Sequence, residues 1–238
     1  MHTTRMLGLG ALMLAIAGSA PAAEQTILGT SITVKNPGAV EKRKVVIKAK
    51  EKASTNTIVG DPVGGTGGAL TVVLSGGTST FFEYQLLQGT SAITGKPFWS
   101  GDATTGFKYK DAKGENGVVR SAQIKRTSSG TFTIKAVLSG KYGTVGSVPP
   151  NPGQAACVAL RLSLGDRYQV RFGFGDGLIT NKGAILYKHK KVLNEGQCLF
   201  ISSTTTSTLV TTTTSTTTTT LYGSPSRAFM DPVPGLLD

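Results

Sequence analysis

Alternation limits this chain more than any other feature. Beyond residue 23, apolar and polar side chains exchange places every second residue in short runs that close on glycine. No window there keeps apolar residues at i, i+3, i+4 and i+7 for more than a turn or two. A period of two sends successive side chains to opposite faces, which suits a half-buried strand and gives a helix no apolar stripe. The clearest runs are residues 26–35, 43–50, 69–75, 80–87, 107–110, 118–126, 131–138, 155–164, 167–174 and 184–188. About ten strands at a spacing of roughly 8 to 12 residues predict an all-β fold, an antiparallel β-sandwich. Residues 24–201 are long enough to bury its core.

The connections carry their own chemistry. Asn116-Gly117 separates residues 107–110 from 118–120, and Asp176-Gly177 follows Phe172-Gly173-Phe174. Both pairs tolerate positive φ and read as tight hairpins between antiparallel neighbours. The glycines at 173, 175 and 177 superficially suggest a phosphate cradle, but no helix follows to supply its N-terminus, so a hairpin turn is expected. Asn36-Pro37-Gly38 and Asn151-Pro152-Gly153 punctuate the chain in the same way. Residues 148–154 form the candidate internal boundary, so the chain reads as one sandwich or as two lobes.

Both termini differ from this middle. Arg5, an apolar run over residues 6–18 and Ala20-Pro21-Ala22 follow the order of a secretory signal peptide, predicting cleavage after Ala22 or Ala23 and a secreted or periplasmic address. The run is too short to span a bilayer, which needs about 20 residues. Residues 202–220 hold 13 threonines and 4 serines and read as a low-complexity linker or stalk that could accept O-glycans. Residues 221–238 read as a disordered tail without a membrane anchor. Cys157 and Cys198 are the two cysteines, and export makes a disulfide between them the expected state, with a free thiol as the alternative.

The inventory of reactive side chains is short. Once His2 leaves with the leader, His189 is the remaining imidazole, set in Lys188-His189-Lys190-Lys191 and expected at a solvated strand end or loop. Zinc lacks ligands, and no cofactor is expected. Eleven carboxylates lie in residues 24–201, so a glycosidase-type pair is not excluded by counting. Glu83 is the one to follow, although alternation places it opposite Phe82 and Tyr84 as an exposed strand residue. Asp111, Glu115 and Asn116 form an acidic loop that lacks the regular oxygen alternation of a calcium site and carries Lys113 at its centre.

Charge has a clear sign: 17 lysines and 6 arginines face those eleven carboxylates in residues 24–201. Alternation sets Lys108 and Lys110 against Phe107 and Tyr109, Lys135 against Phe132 and Ile134, and Arg167 and Arg171 against Tyr168 and Phe172. These basic side chains are expected to share a solvated sheet face. They either protect edges or bind an anionic polysaccharide, a cell-wall polymer or lipid headgroups. Nucleic acid is not expected, because export removes the usual target and no stacking platform stands out. Trp99, the single tryptophan, sits at a strand end or in a loop, where it either packs over the sandwich or offers an exposed ring to a carbohydrate.

Four segments, residues 106–111 (Gly-Phe-Lys-Tyr-Lys-Asp), 131–135 (Thr-Phe-Thr-Ile-Lys), 148–153 (Val-Pro-Pro-Asn-Pro-Gly) and 165–170 (Gly-Asp-Arg-Tyr-Gln-Val), carry a resemblance. They resemble a β-rich module of secreted proteins from environmental bacteria, over roughly residues 26–200. The resemblance implies export and one module, and it transfers no activity and no site residues. Three functions stay open: an exported, non-enzymatic β module that binds or adheres to an anionic surface polymer or glycan, a structural envelope or matrix component, and a carboxylate-dependent glycoside hydrolase or related enzyme.

Overall fold

The computed structural model describes residues 22–77, 79–173, 177–193 and 196–198. Most of the leader, the Thr-rich tract and the tail lie outside them. Thirteen strands follow in order: β1 (Glu24–Thr26), β2 (Gly29–Lys35), β3 (Lys44–Glu51), β4 (Gly68–Gly76), β5 (Thr80–Leu86), β6 (Trp99–Asp102) and β7 (Gly106–Lys110). The remaining six are β8 (Val119–Arg126), β9 (Phe132–Ser139), β10 (Gly153–Leu162), β11 (Arg167–Gly173), β12 (Leu178–Lys182) and β13 (Leu186–Lys190). There is no α-helix among the described residues. A five-stranded sheet runs β1-β11-β10-β4-β5, and an eight-stranded sheet runs β12-β13-β2-β3-β9-β8-β7-β6. Pairing is antiparallel except where the three residues of β1 lie parallel to β11.

The sandwich forms because the alternating runs each have one greasy face to hide. Ile32, Val34, Val45, Ile47, Ile134 and Ala136 point inward from the larger sheet, and Leu70, Val72, Val158, Leu160 and Val170 meet them from the smaller. Phe132 stacks on Tyr168 across the gap with ring centroids 5.8 Å apart. Each large apolar side chain buried this way contributes about 1.5–3 kcal/mol relative to exposure. The same alternation sends Lys44, Lys48 and Lys50 of β3 outward.

Several expectations change. Residues 107–110 and 118–126 do pair, but the connection is a loop held on Asp111 rather than a two-residue hairpin, with Gly117 at φ 113°. The strands flanking Gly177 do not pair with each other, since β11 belongs to the smaller sheet and β12 to the larger, and residues 174–176 of the expected turn lie outside the described residues. His189 is fully buried on β13, edge-on to Phe172 with ring centroids 6.1 Å apart, rather than solvated. The proline-rich segment is packed: Ser147 bonds the Tyr84 hydroxyl, and Gly77 N donates to Pro152 O. It leads directly into β10, which lies between β4 and β11, so no second lobe begins there. The disulfide is present, with Cys157 and Cys198 bridged at a Cα separation of 5.6 Å.

Candidate functional site

The outer face of the larger sheet is basic from β12 to β7. Each of those seven strands turns at least one lysine outward: Lys182, Lys188, Lys35, Lys48, Lys135, Lys125 and Lys108 in spatial order. Register places Lys190, Ser31, Lys48, Lys135, Gln123, Lys108 and Ser100 in one row across the strands. At about 4.8 Å between strands, the lysines of that row span about 24 Å. Lys48 lies directly opposite Lys135, and Lys35 opposite Lys44, so like charges are cross-strand neighbours. Among the described residues, no Asp or Glu stands at an outward position on β12 through β7. Lys188 is held below the usual lysine pKa, first by hydrogen bonding to Lys190 and then by the charge of that ammonium, with slight desolvation and Lys35 adding to the effect.

At the β6–β7 end this face closes into a groove of about 380 Å³. Lys108 and Lys110 of β7 form one wall, Lys96 and Lys113 reach it from flanking loops, and Pro97 and Phe98 supply apolar surface. The walls are braced from behind. Ser91 N donates to Lys96 O and Thr94 N to Ser91 Oγ, closing the loop that carries Lys96. Asp111, almost fully buried, accepts from the backbone N–H groups of Gly114, Glu115 and Asn116. Glu115 then ties the two loops together by accepting from Ser91 Oγ and from Ala92 N, the latter at 2.7 Å. Phe98 stacks on Tyr109 with centroids 6.2 Å apart. Both carboxylates of the acidic loop thus serve as loop acceptors, and no carboxylate lines the groove.

The sequence-selected basic residues do not share one face. Lys108, Lys110 and Lys135 stand on the larger sheet, whereas Arg167 and Arg171 project from the smaller one. Arg167 pairs with Glu24 at 3.5 Å, and Arg171 packs beside Gly196 of the segment that the disulfide pins down. Trp99 is 2% exposed, and its Nε1–H donates to Leu86 O at 3.0 Å, so its ring belongs to the core rather than to a ligand platform. Glu83 is exposed on β5. Lys48, Lys50, Lys125 and Lys190 escaped the sequence reading, although the alternation of Lys44, Lys48 and Lys50 with Val45, Ile47 and Ala49 carried the signal for β3. Lys96 and Lys113 lie on loops, where no periodicity could have found them.

Among the described residues, no cluster of three or more His, Cys, Asp or Glu could hold a metal ion, and no helix is long and apolar enough to cross a membrane. No protein-family model matches the chain, and no curated protein or solved structure is detectably similar to it.

Proposed function

We propose that the protein is an exported, non-enzymatic β module that adheres to an anionic surface polymer or glycan through the outer face of its larger sheet. The observation that carries this reading is the pairing of Lys48 with Lys135 and of Lys35 with Lys44 on strands whose outward positions hold no carboxylate. Like charges directly opposite destabilise a sheet, so the arrangement favours a partner that brings negative charge. Export agrees with the leader-like N-terminus and with the Cys157–Cys198 disulfide, a bond that persists in oxidising compartments.

Binding of the exported protein to heparin and to polygalacturonate, with dextran as the neutral control, tests the reading. Both polyanions should bind and dextran should not. Affinity should fall steadily with added salt, because the Debye length shrinks to about 8 Å at physiological strength. Lys108→Glu, Lys110→Glu and Lys135→Glu together should weaken binding at least about tenfold while leaving the thermal transition nearly unchanged, since all three side chains are exposed. Binding that ignores both salt and charge reversal, or no binding to any anionic polymer, overturns it and favours a purely structural role.

A further inference from the structure

We propose that the groove between the loops at residues 90–97 and 111–117 is a discrete subsite for one anionic sugar unit, resting on the polymer-binding reading above. The flat lysine face can hold charge but cannot recognise shape. The groove can, because it is concave, its volume is at the small end of ligand sites, and Asp111 and Glu115 fix its walls before any ligand arrives. Its composition is that of a site for a charged pyranose. Pro97, exposed at the rim and backed by the buried Phe98, offers apolar surface to the C–H face of a ring, Thr94 and Ser100 offer hydroxyls, and Lys96, Lys108, Lys110 and Lys113 surround whatever carboxylate or sulfate the ring bears. Lysine ammoniums act as rotatable point charges and impose no planar fork, so the groove selects charge and ring shape over one anion geometry. Lys108 also belongs to the long row, so a chain seated here continues across the sheet.

Short and long ligands separate this subsite from the face. Calorimetry with tetragalacturonate, a heparin tetrasaccharide, a neutral cellotetraose and phosphatidylglycerol vesicles should show binding of at least one charged tetrasaccharide and none of cellotetraose. Lys96→Gln with Lys113→Gln should weaken that tetrasaccharide at least about tenfold, whereas Lys48→Gln with Lys135→Gln should weaken the polymer and change the tetrasaccharide less than about twofold. If polymers bind but no charged tetrasaccharide does, or if both variant pairs lose affinity equally, the subsite is refuted and the face stands. If only vesicles bind, or nothing does, both fall. All four lysines are exposed, and an unchanged thermal transition verifies that each variant is folded.

A separate observation concerns the N-terminus and rests on export alone. Ala23 N lies 2.9 Å from Asp166 Oδ1, a carboxylate only 7% exposed, while Arg167 N donates to Ala23 O and seats the start of β1 on β11. We infer that signal-peptidase hydrolysis of the Ala22–Ala23 bond, in which water leaves a carboxylate on Ala22 and an ammonium on Ala23, creates an α-ammonium that pairs with Asp166. Cleavage one bond later would remove the donor. Intact mass of the exported protein should begin at Ala23, and NMR titration should place its α-amino pKa clearly above the ordinary value of about 7.7, falling back in Asp166→Asn. A mature chain starting at Glu24, or an unshifted amine in the wild type, overturns the inference. A retained leader overturns export itself.

Discussion

Breaking the Cys157–Cys198 bond should be the most destabilising single chemical change available. Its 41-residue separation encloses most of β10, all of β11, β12 and β13, and the return of the chain to the outer face of the smaller sheet. On the chain-entropy model, a closed loop of that length restricts the unfolded ensemble by about 4 kcal/mol at 25 °C. The native state also gains locally, because the bridge holds Cys198 N on Gln169 Oε1 at 2.7 Å and keeps Gln169 buried. Urea unfolding followed by Trp99 fluorescence, with and without reductant, and repeated on Cys157→Ser with Cys198→Ser, measures the loss. With m near about 2 kcal/mol per M, the midpoint should drop by about 2 M. A drop below about 0.5 M with m unchanged would refute the argument. It would show that the last segment peels away without weakening the sandwich. Hydrogen exchange at Cys198 N–H then reports the peeling directly.

Two further perturbations test the core and its titration. Trp99→Phe removes the Nε1–H donated to Leu86 O inside the sandwich, so chemical denaturation should show a loss of about 0.5–1.5 kcal/mol, the usual net worth of one such hydrogen bond. Burial pushes the phenols of Tyr109 and Tyr168 up to about 12 from 10.0. Their folded pKa values exceed the unfolded one, so the native state holds more protons between the two. The stability they confer is fully present below pH 10 and is lost as pH rises through 12. Tyrosinate absorbance should lag behind that of exposed tyrosine in this window, and Tyr109→Phe should flatten the alkaline decline; early titration of all tyrosines would contradict the burial.

How much of this was legible from sequence follows the physics of each segment. β3 was legible because Lys44, Lys48 and Lys50 alternate with Val45, Ile47 and Ala49 over a buried face, broken only by Val46 at an outward position. β12 was not, because every one of its residues is exposed and an edge strand without a buried face has no period to read. β6 was missed for a related reason: Gly101 and Asp102 follow Trp99, and strand formation there depends on pairing with β7. At His189 the lysine run suggested solvent, yet in Tyr187-Lys188-His189-Lys190 alternation had already put the imidazole on the face opposite the lysines. Arg167 and Arg171 show the complementary limit. Their direction on β11 was read correctly, but a period of two says nothing about which sheet a strand joins. The groove was beyond reach, since Ser91 and Glu115 meet across 24 residues of chain.

The distribution of charge bears on whether the lysines have a partner. Edge protection accounts for lysine on edge strands. Here Lys48, Lys135 and Lys125 stand on β3, β9 and β8, inside the sheet, while of the two edge strands β12 carries Lys182 and β6 carries Asp102 and no lysine. The carboxylates meanwhile are engaged locally: Asp61, Asp102 and Asp111 accept from nearby backbone N–H groups, and Glu115 and Asp166 join distant segments. Lys135→Glu follows from this contrast. It would set a carboxylate opposite Lys48 and should raise stability by about 0.2–1 kcal/mol at low salt, with the gain shrinking as salt is added. Heparin affinity should fall in the same variant. A stability gain together with a loss of binding marks a surface kept basic for its ligand, while a gain with no loss of binding shows that Lys135 serves no anionic partner. If the variant is instead less stable at low salt, repulsion between Lys48 and Lys135 is not significant, and the main support for a polyanion partner goes with it.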